Sequence, residues 1–283
     1  MKHFEWTWYA EDKTRLYAQC WQPDGAAKGV VCLVHGLGEH SSRYAHVAAA
    51  LAEAGYVLLT FDLRGHGKSQ GARGDVASYD THMDDIKRLI AEAGERYPAL
   101  PRFLYGHSMG GNLAPNYALR RSPQLQGVIA TGPWLRAAFD PPAWRVRAGR
   151  ALHKLRPALP QPAGLDVTAV SRDPAVVRAY QDDPLNHDTI SLRMYFSGYQ
   201  AGVWALERAA EFALPLLLMH GGADRLTSAA ASREFAAKIK HGCTYKEWVA
   251  LFHEIHNEPE QQQVFAFMID WLNAHSLSPR QAD

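Results

Sequence analysis

Short apolar runs alternate with helix-period segments along most of this chain, and that beat leaves few folds open. The β-type runs are Val30–Val34, Tyr56–Phe61, Phe103–Tyr105, Val128–Thr131, Leu214–Met219 and Tyr245–Val249. Between and after them, Tyr44–Ala54, Met83–Arg96, Asn112–Arg121, Ala229–Ile239 and Pro259–Ala274 read as helices. Strands parted by helices predict an α/β fold, a mostly parallel sheet flanked by helices, because each crossover returns the chain over a sheet face. Two aromatic-rich runs, Phe4–Ala10 and Leu16–Trp21, precede this pattern and read as an antiparallel hairpin. The tail Ser276–Asp283 reads as disordered.

The beat fails between about Leu135 and Leu206, where prolines (Pro141, Pro142, Pro157, Pro160, Pro162) punctuate helical pieces. The chain is therefore expected to divide into a core, residues 1–134 and 207–283, and an inserted helical cap, 135–206. The first cap helix is expected to start at Pro142. Trp144, Ala148, Ala151, Leu152 and Leu155 then share one face, and Arg145, Arg147, Arg150 and Lys154 the other. From Arg136 to Arg156 six basic residues stand against one acid, Asp140. Such a face suits an anionic lipid surface or plain solvent. The insertion itself suits a lid over the sheet, or a helical pair that only closes the core.

Charge narrows the partners. Thirty Lys+Arg against 29 Asp+Glu leave a net charge of +1, which excludes a dedicated nucleic-acid binder. No apolar run approaches the roughly 20 residues of a membrane span, and no signal peptide is visible, so a cytoplasmic protein is expected. Cys20, Cys32 and Cys243 are widely spaced and odd in number, which predicts reduced thiols and no metal motif.

The chemistry-bearing stretch is Gly106-His107-Ser108-Met109-Gly110-Gly111, between an apolar strand and a helix. Glycines there relieve a sharp turn that exposes the Ser108 hydroxyl above a free helix N-terminus, as acyl transfer requires. A second Gly-x-Ser-x-Gly match surrounds Ser69, but it lies in polar loop and fails the strand–turn–helix criterion. A serine hydroxyl needs a base, and the base an orienting acid, in the chain order Ser, acid, His. Asp224 follows the run ending at Met219, in His220-Gly221-Gly222-Ala223-Asp224. After the last strand two histidines compete, His253 and His256, with Glu254 and Glu258 beside them as helix-entry charges. The oxyanion needs two backbone N–H donors. They are expected from Met109 and from Leu37 in His35-Gly36-Leu37-Gly38.

These motifs, with Glu39-His40-Ser41-Ser42-Arg43-Tyr44, Asp62-Leu63-Arg64-Gly65-His66-Gly67-Lys68-Ser69 and His253–Glu258, resemble the monoacylglycerol lipases and lysophospholipases of the α/β-hydrolase superfamily. The resemblance covers nearly the whole chain. It implies Ser108, Asp224 and His253 as the catalytic set, Leu37 and Met109 as oxyanion donors, and Ser69 as a loop residue. It further implies that Glu39, Arg43 and His256 line a polar pocket for a glycerol head. The implied activity is hydrolysis of monoacylglycerols by an acyl-enzyme, with a small lipid ester as substrate and neither metal nor organic cofactor. Transient membrane contact through the cap goes with it. Phe139, Leu152, Leu155, Leu159 and Phe196 are the expected walls of an acyl tunnel. A lysophospholipase or general carboxylesterase keeps this chemistry with another leaving group. An aminopeptidase would need an acidic anchor for an amine, and a non-catalytic binder would have no use for the three-residue set. One departure from the family pattern is Pro115, inside the helix that follows the nucleophile.

Overall fold

The computed structural model describes residues 1–139 and 142–276. The first strands are β1 (Lys2–Tyr9), β2 (Arg15–Gln22), β3 (Gly29–Val34), β4 (Tyr56–Phe61), β5 (Arg102–His107) and β6 (Gly127–Thr131). Two short strands follow, β7 (Pro160–Pro162) and β8 (Thr189–Ser191), then β9 (Leu216–Gly221) and β10 (Cys243–Trp248). One eight-stranded sheet has the order β1-β2-β4-β3-β5-β6-β9-β10. The β1–β2 and β2–β4 pairings are antiparallel and the rest are parallel. The strand positions expected from the sequence agree within about two residues at each end.

The helices are α1 (Ala45–Glu53), α2 (Tyr79–Arg96), α3 (Met109–Arg121), α4 (Ala143–Leu155), α5 (Pro174–Asp182), α6 (Leu192–Glu207), α7 (Ala229–Lys238) and α8 (Gln261–Ser276). Helix α2 starts four residues before Met83, because Ser78 caps it by accepting from the Thr81 amide. Every residue of β3 and β4 is buried, and alternate side chains enter opposite core layers. Val30, Cys32 and Val34 pack toward α2 and α3, while Val31 and Leu33 pack toward α1 and α8. Full burial of such a side chain is worth about 1.5–3 kcal/mol, so the two layers clamp the sheet from both faces.

The stretch 135–206 holds α4, β7, α5, β8 and α6, and it shares its core with the rest. Met194, Ala205 and Leu206 of α6 join the layer that contains Leu113 and Tyr117 of α3. Helix α3 runs unbroken through Pro115. Beside it, the Asn116 side-chain amide donates to Asn112 O (2.9 Å) and to Ala201 O on α6 (3.2 Å). Asn112 likewise donates to Trp134 O and Gly198 O, so asparagines stitch α3 to α6.

One expectation needs correction. Ser276 closes α8, its hydroxyl donating to Leu272 O, so the tail does not begin there; residues 277–283 lie outside the described residues, as do Asp140 and Pro141. The apolar stripe of α4 faces outward. Trp144 is 67% exposed and Leu155 81%, whereas Gly149 and His153 sit against Phe196 of α6. No helix among the described residues is long and apolar enough to cross a membrane.

Candidate active site

The parallel strands bring their carboxyl ends to one edge, where ligands gather in open α/β sheets. Four loops meet there, after β3, β5, β9 and β10.

Ser108 follows β5 directly and stands at the N-cap of α3 with φ 55° and ψ −111°, in a region L-residues avoid. Its amide donates to Thr131 O and its carbonyl accepts from the Asn112 and Trp134 amides, which hold the turn. Glycine is obligatory on either side. A Cβ on Gly106 would lie 2.0 Å from Gly110 O, and one on Gly110 would lie 2.0 Å from Val34 O.

His253 Nε2 lies 2.9 Å from Ser108 Oγ, and its Nδ1 lies 2.7 Å from Asp224 Oδ2. With the Asp224 carboxylate accepting from Nδ1–H, Nε2 is left to accept the serine proton. Asp224 is fixed on every side. Its Oδ1 accepts from the Leu226 and Thr227 amides at 2.7 and 3.0 Å, and its Oδ2 from the Thr227 hydroxyl at 2.8 Å. His220 Nε2 lies 3.1 Å from the same Oδ2, and its Nδ1 meets Ser232 Oγ at 2.7 Å. Burial alone would push the Asp224 carboxyl up, but the His253 charge and hydrogen bonds from His220 and His253 hold it far below the usual range. For His253 burial opposes protonation, yet the Asp224 charge and hydrogen bond, then Glu254 and Glu39, leave its pKa raised.

The loop after β3 lies on the elbow, since a Cβ at Gly36 would sit 3.1 Å from Ser108 Cβ. His35 Nε2 accepts from the Leu63 amide (2.9 Å), so Nδ1–H donates to Gly36 O (2.7 Å). Gly36 O and Leu37 N–H belong to one peptide plane, so this bond turns the Leu37 N–H away from His35. Neither the Leu37 nor the Met109 amide has an acceptor among the described residues.

The competing residues have other partners. His256 is fully buried among Tyr44, His46 and His107, and both ring nitrogens lack a partner among the described residues. Burial, then His107 and His46, keep its pKa well below the ordinary histidine value. Glu258 accepts from the Phe252 amide and from Arg172. Ser69 Oγ donates to Asp62 O and accepts from the Tyr17 amide, which makes it a loop brace.

A cavity of about 290 Å³ opens over Ser108 and His253, with Trp134, Phe139, Leu165, Val170, Tyr195 and Leu226 among its walls. Of the expected tunnel residues only Phe139 borders it. Leu152 and Leu155 point to solvent, Phe196 packs under α4, and Leu159 is not part of the wall. The expected polar pocket is also rearranged. Glu39 borders the cavity, but Arg43 and His256 do not. Arg43 is spanned between Glu39 (2.6 Å) and a bidentate contact with Glu254 (2.7 Å twice), because a buried guanidinium needs its charge matched. Burial pushes the Glu39 carboxyl up, but Arg43, His107 and His35 bring it down to about 2. Glu254, read from sequence as a helix-entry charge, is a cavity residue. Thr227 was also missed; the one signal for it was its place in the turn that an aspartate such as Asp224 builds two and three residues on. Among the described residues no group of three His, Cys, Asp or Glu side chains is placed to hold a metal ion.

Residues 25–260 match the family model described as serine aminopeptidase, S33. A monoacylglycerol lipase from Mycolicibacterium smegmatis is 35% identical over 263 residues, 92% of this chain and 94% of that protein. An uncharacterized abhydrolase domain-containing protein from Dictyostelium discoideum is 36% identical over 95% of this chain, which spans 29% of its length. Among solved structures, the monoacylglycerol lipase of Paleococcus ferrophilus superposes with a TM-score of 0.83 at 33% identity, covering 97% of this chain and all of that one.

Proposed function

The chain belongs to the serine aminopeptidase S33 family, with the α/β-hydrolase fold, and on that premise we propose that it is a carboxylic ester hydrolase that cleaves monoacylglycerols through an acyl-enzyme on Ser108. The observation that carries this reading is the relay Ser108–His253–Asp224, at 2.9 and 2.7 Å, whose first two members line an apolar cavity. Ser108 Oγ attacks the ester carbonyl while His253 Nε2 takes its proton. The carbonyl oxygen becomes an oxyanion held by the Leu37 and Met109 amides, each such donor being worth about 3–4 kcal/mol in the transition state. His253 then gives the proton to the departing glycerol oxygen. Water, deprotonated by His253, attacks the acyl-enzyme and frees the fatty acid and Ser108.

The acyl chain takes the apolar walls. The glycerol head takes the border formed by Glu39, whose Oε2, among the described residues, accepts from Arg43 alone and has a lone pair left for a hydroxyl. Arg43, Tyr44, Asn257 and the Gly36 amide hold the Glu39 and Glu254 carboxylates in place on this border. Fatty-acid release from a medium-chain monoacylglycerol is expected to outpace release from the lysophospholipid of equal chain length. The reverse order would make the protein a lysophospholipase and retire the glycerol head site.

The outward stripe of α4 supports peripheral contact with a lipid surface. Phe139 (56% exposed), Trp144, Leu152 and Leu155 form apolar relief beside Arg147, Arg150 and Lys154. The double change Trp144→Ser/Leu155→Ser is expected to weaken binding to anionic vesicles by about tenfold or more in a sedimentation assay. Unaltered binding would assign the stripe to solvent.

A further inference from the structure

The β7–β8 ladder closes a long loop, residues 163–188, that contains α5 and borders the cavity at Leu165, Val170 and Tyr180. This strap is bonded to the loops that carry the Leu37 amide and His253, and packed against the loop that carries Asp224. On the first, Gly38 O accepts from the His187 amide (2.9 Å) and the Tyr180 hydroxyl (3.3 Å), and His40 Nε2 pairs with Asp183 Oδ2 (2.8 Å). On the second, Leu226, two residues past Asp224, is buried in a cluster with Ala169, Val170 and Tyr180. On the third, the His253 and Glu254 amides donate to Ala169 O (3.3 Å) and Val170 O (2.8 Å).

We propose that the strap is a fixed clamp that positions the oxyanion, acid and base loops relative to one another, with Tyr180 and Asp183 as positioning residues. The inference rests on the Ser108 reading above. A lid that lifted here would break the bonds to Gly38 O and to the His253 amide together, and so undo the site it uncovers. Any opening that keeps the site intact therefore has to leave the strap in place. The strap reaches the oxyanion loop one residue beyond Leu37, so its loss shifts a donor by a fraction of an ångström without emptying the acyl cavity. Such a shift is felt in the transition state before it is felt in ground-state binding.

The test uses the full chain and a water-soluble short-chain ester. Tyr180→Phe removes one hydroxyl and keeps the ring stacked on the Arg43 guanidinium. The double change Tyr180→Phe/Asp183→Ala also removes the tie to His40. The double variant is expected to lose about tenfold in kcat with KM changed less than about twofold, and Tyr180→Phe alone a smaller part of it. Affinity for an alkylboronic acid, which occupies the tetrahedral state, is expected to fall in parallel with kcat. Unchanged kcat and boronate affinity below the melting temperature, whatever happens to KM or Tm, would overturn the clamp and leave the strap as wall. Ser108→Ala, run alongside, separates the two readings. Hydrolysis surviving that change would remove the nucleophile, whereas a silent Ser108→Ala beside a full-speed double variant would remove the clamp alone.

Discussion

Replacing Ser108 with alanine is expected to lower kcat for ester hydrolysis by about 10⁴- to 10⁶-fold, with Tm nearly unchanged. Among the described residues the hydroxyl's one side-chain partner is His253, so its removal costs the fold little. The turn is held by main-chain bonds from the Ser108 amide to Thr131 O and from the Asn112 and Trp134 amides to Ser108 O, and alanine keeps all of them. Residual rate above water would come from the oxyanion donors and the cavity alone. Steady-state release of fatty acid, beside a thermal melt of the same preparation, measures both halves. Activity within tenfold of the parent would sink the assignment of the nucleophile, and a large fall in Tm would make the loss uninformative about chemistry.

The second large effect belongs to Asp224. Asp224→Asn is expected to lower kcat by about 10⁴-fold, because an amide can donate to Nδ1 and so favours the tautomer whose Nε2 carries the proton. The pH profile provides an independent reading. In the proposed mechanism the free imidazole of His253 is the base, so kcat/KM is expected to fall as pH drops through its pKa. Burial pulls that pKa down, but the charge and hydrogen bond of Asp224 outweigh it, so the acid limb lies above the ordinary 6.5. In Asp224→Asn burial acts without that opposition, and the limb moves to lower pH. A limb that stays in place would mean that Asp224 is not the group raising His253, and that the acid has to be sought elsewhere in the loop. The same sign governs stability. The raised His253 contributes stability below its unfolded value, and that contribution is lost as pH rises through the folded value. Depressed Asp224 contributes above its unfolded value of 3.8, and loses it as pH falls.

Much of the site lies in short-range pattern. Ser108 could be chosen over Ser69 because a strand on one side and a helix on the other are local properties, readable within ten residues. Asp224 could be named because an apolar run ends just before it. The choice between His253 and His256 was not local. It turns on which imidazole reaches Ser108 Oγ across 145 residues of separation and which is sealed among Tyr44, His46 and His107. The polar border failed for the same reason. The spacing of Glu39 and Arg43 foretells their contact, but not that Glu254, 211 residues from Arg43, takes up the rest of the guanidinium. Helix α4 is instructive in a different way. Its apolar stripe is plain in the sequence, but periodicity reports only that one face is apolar, not what covers it. Phe196 closes on the side of Gly149 and His153, so the stripe turns outward.

Local pattern was enough to establish the positions of the main-sheet strands and their helices, the mostly parallel sheet and the serine elbow. Each of these follows from side-chain periodicity and backbone sterics acting over a few residues. Long-range packing settled which imidazole lies against Ser108 Oγ, which carboxylates border the cavity, which way α4 faces, and that one strap touches the loops carrying Leu37, Asp224 and His253. Those depend on contacts between side chains far apart in the chain, whose hydrogen-bond and charge partners are chosen by how the layers pack.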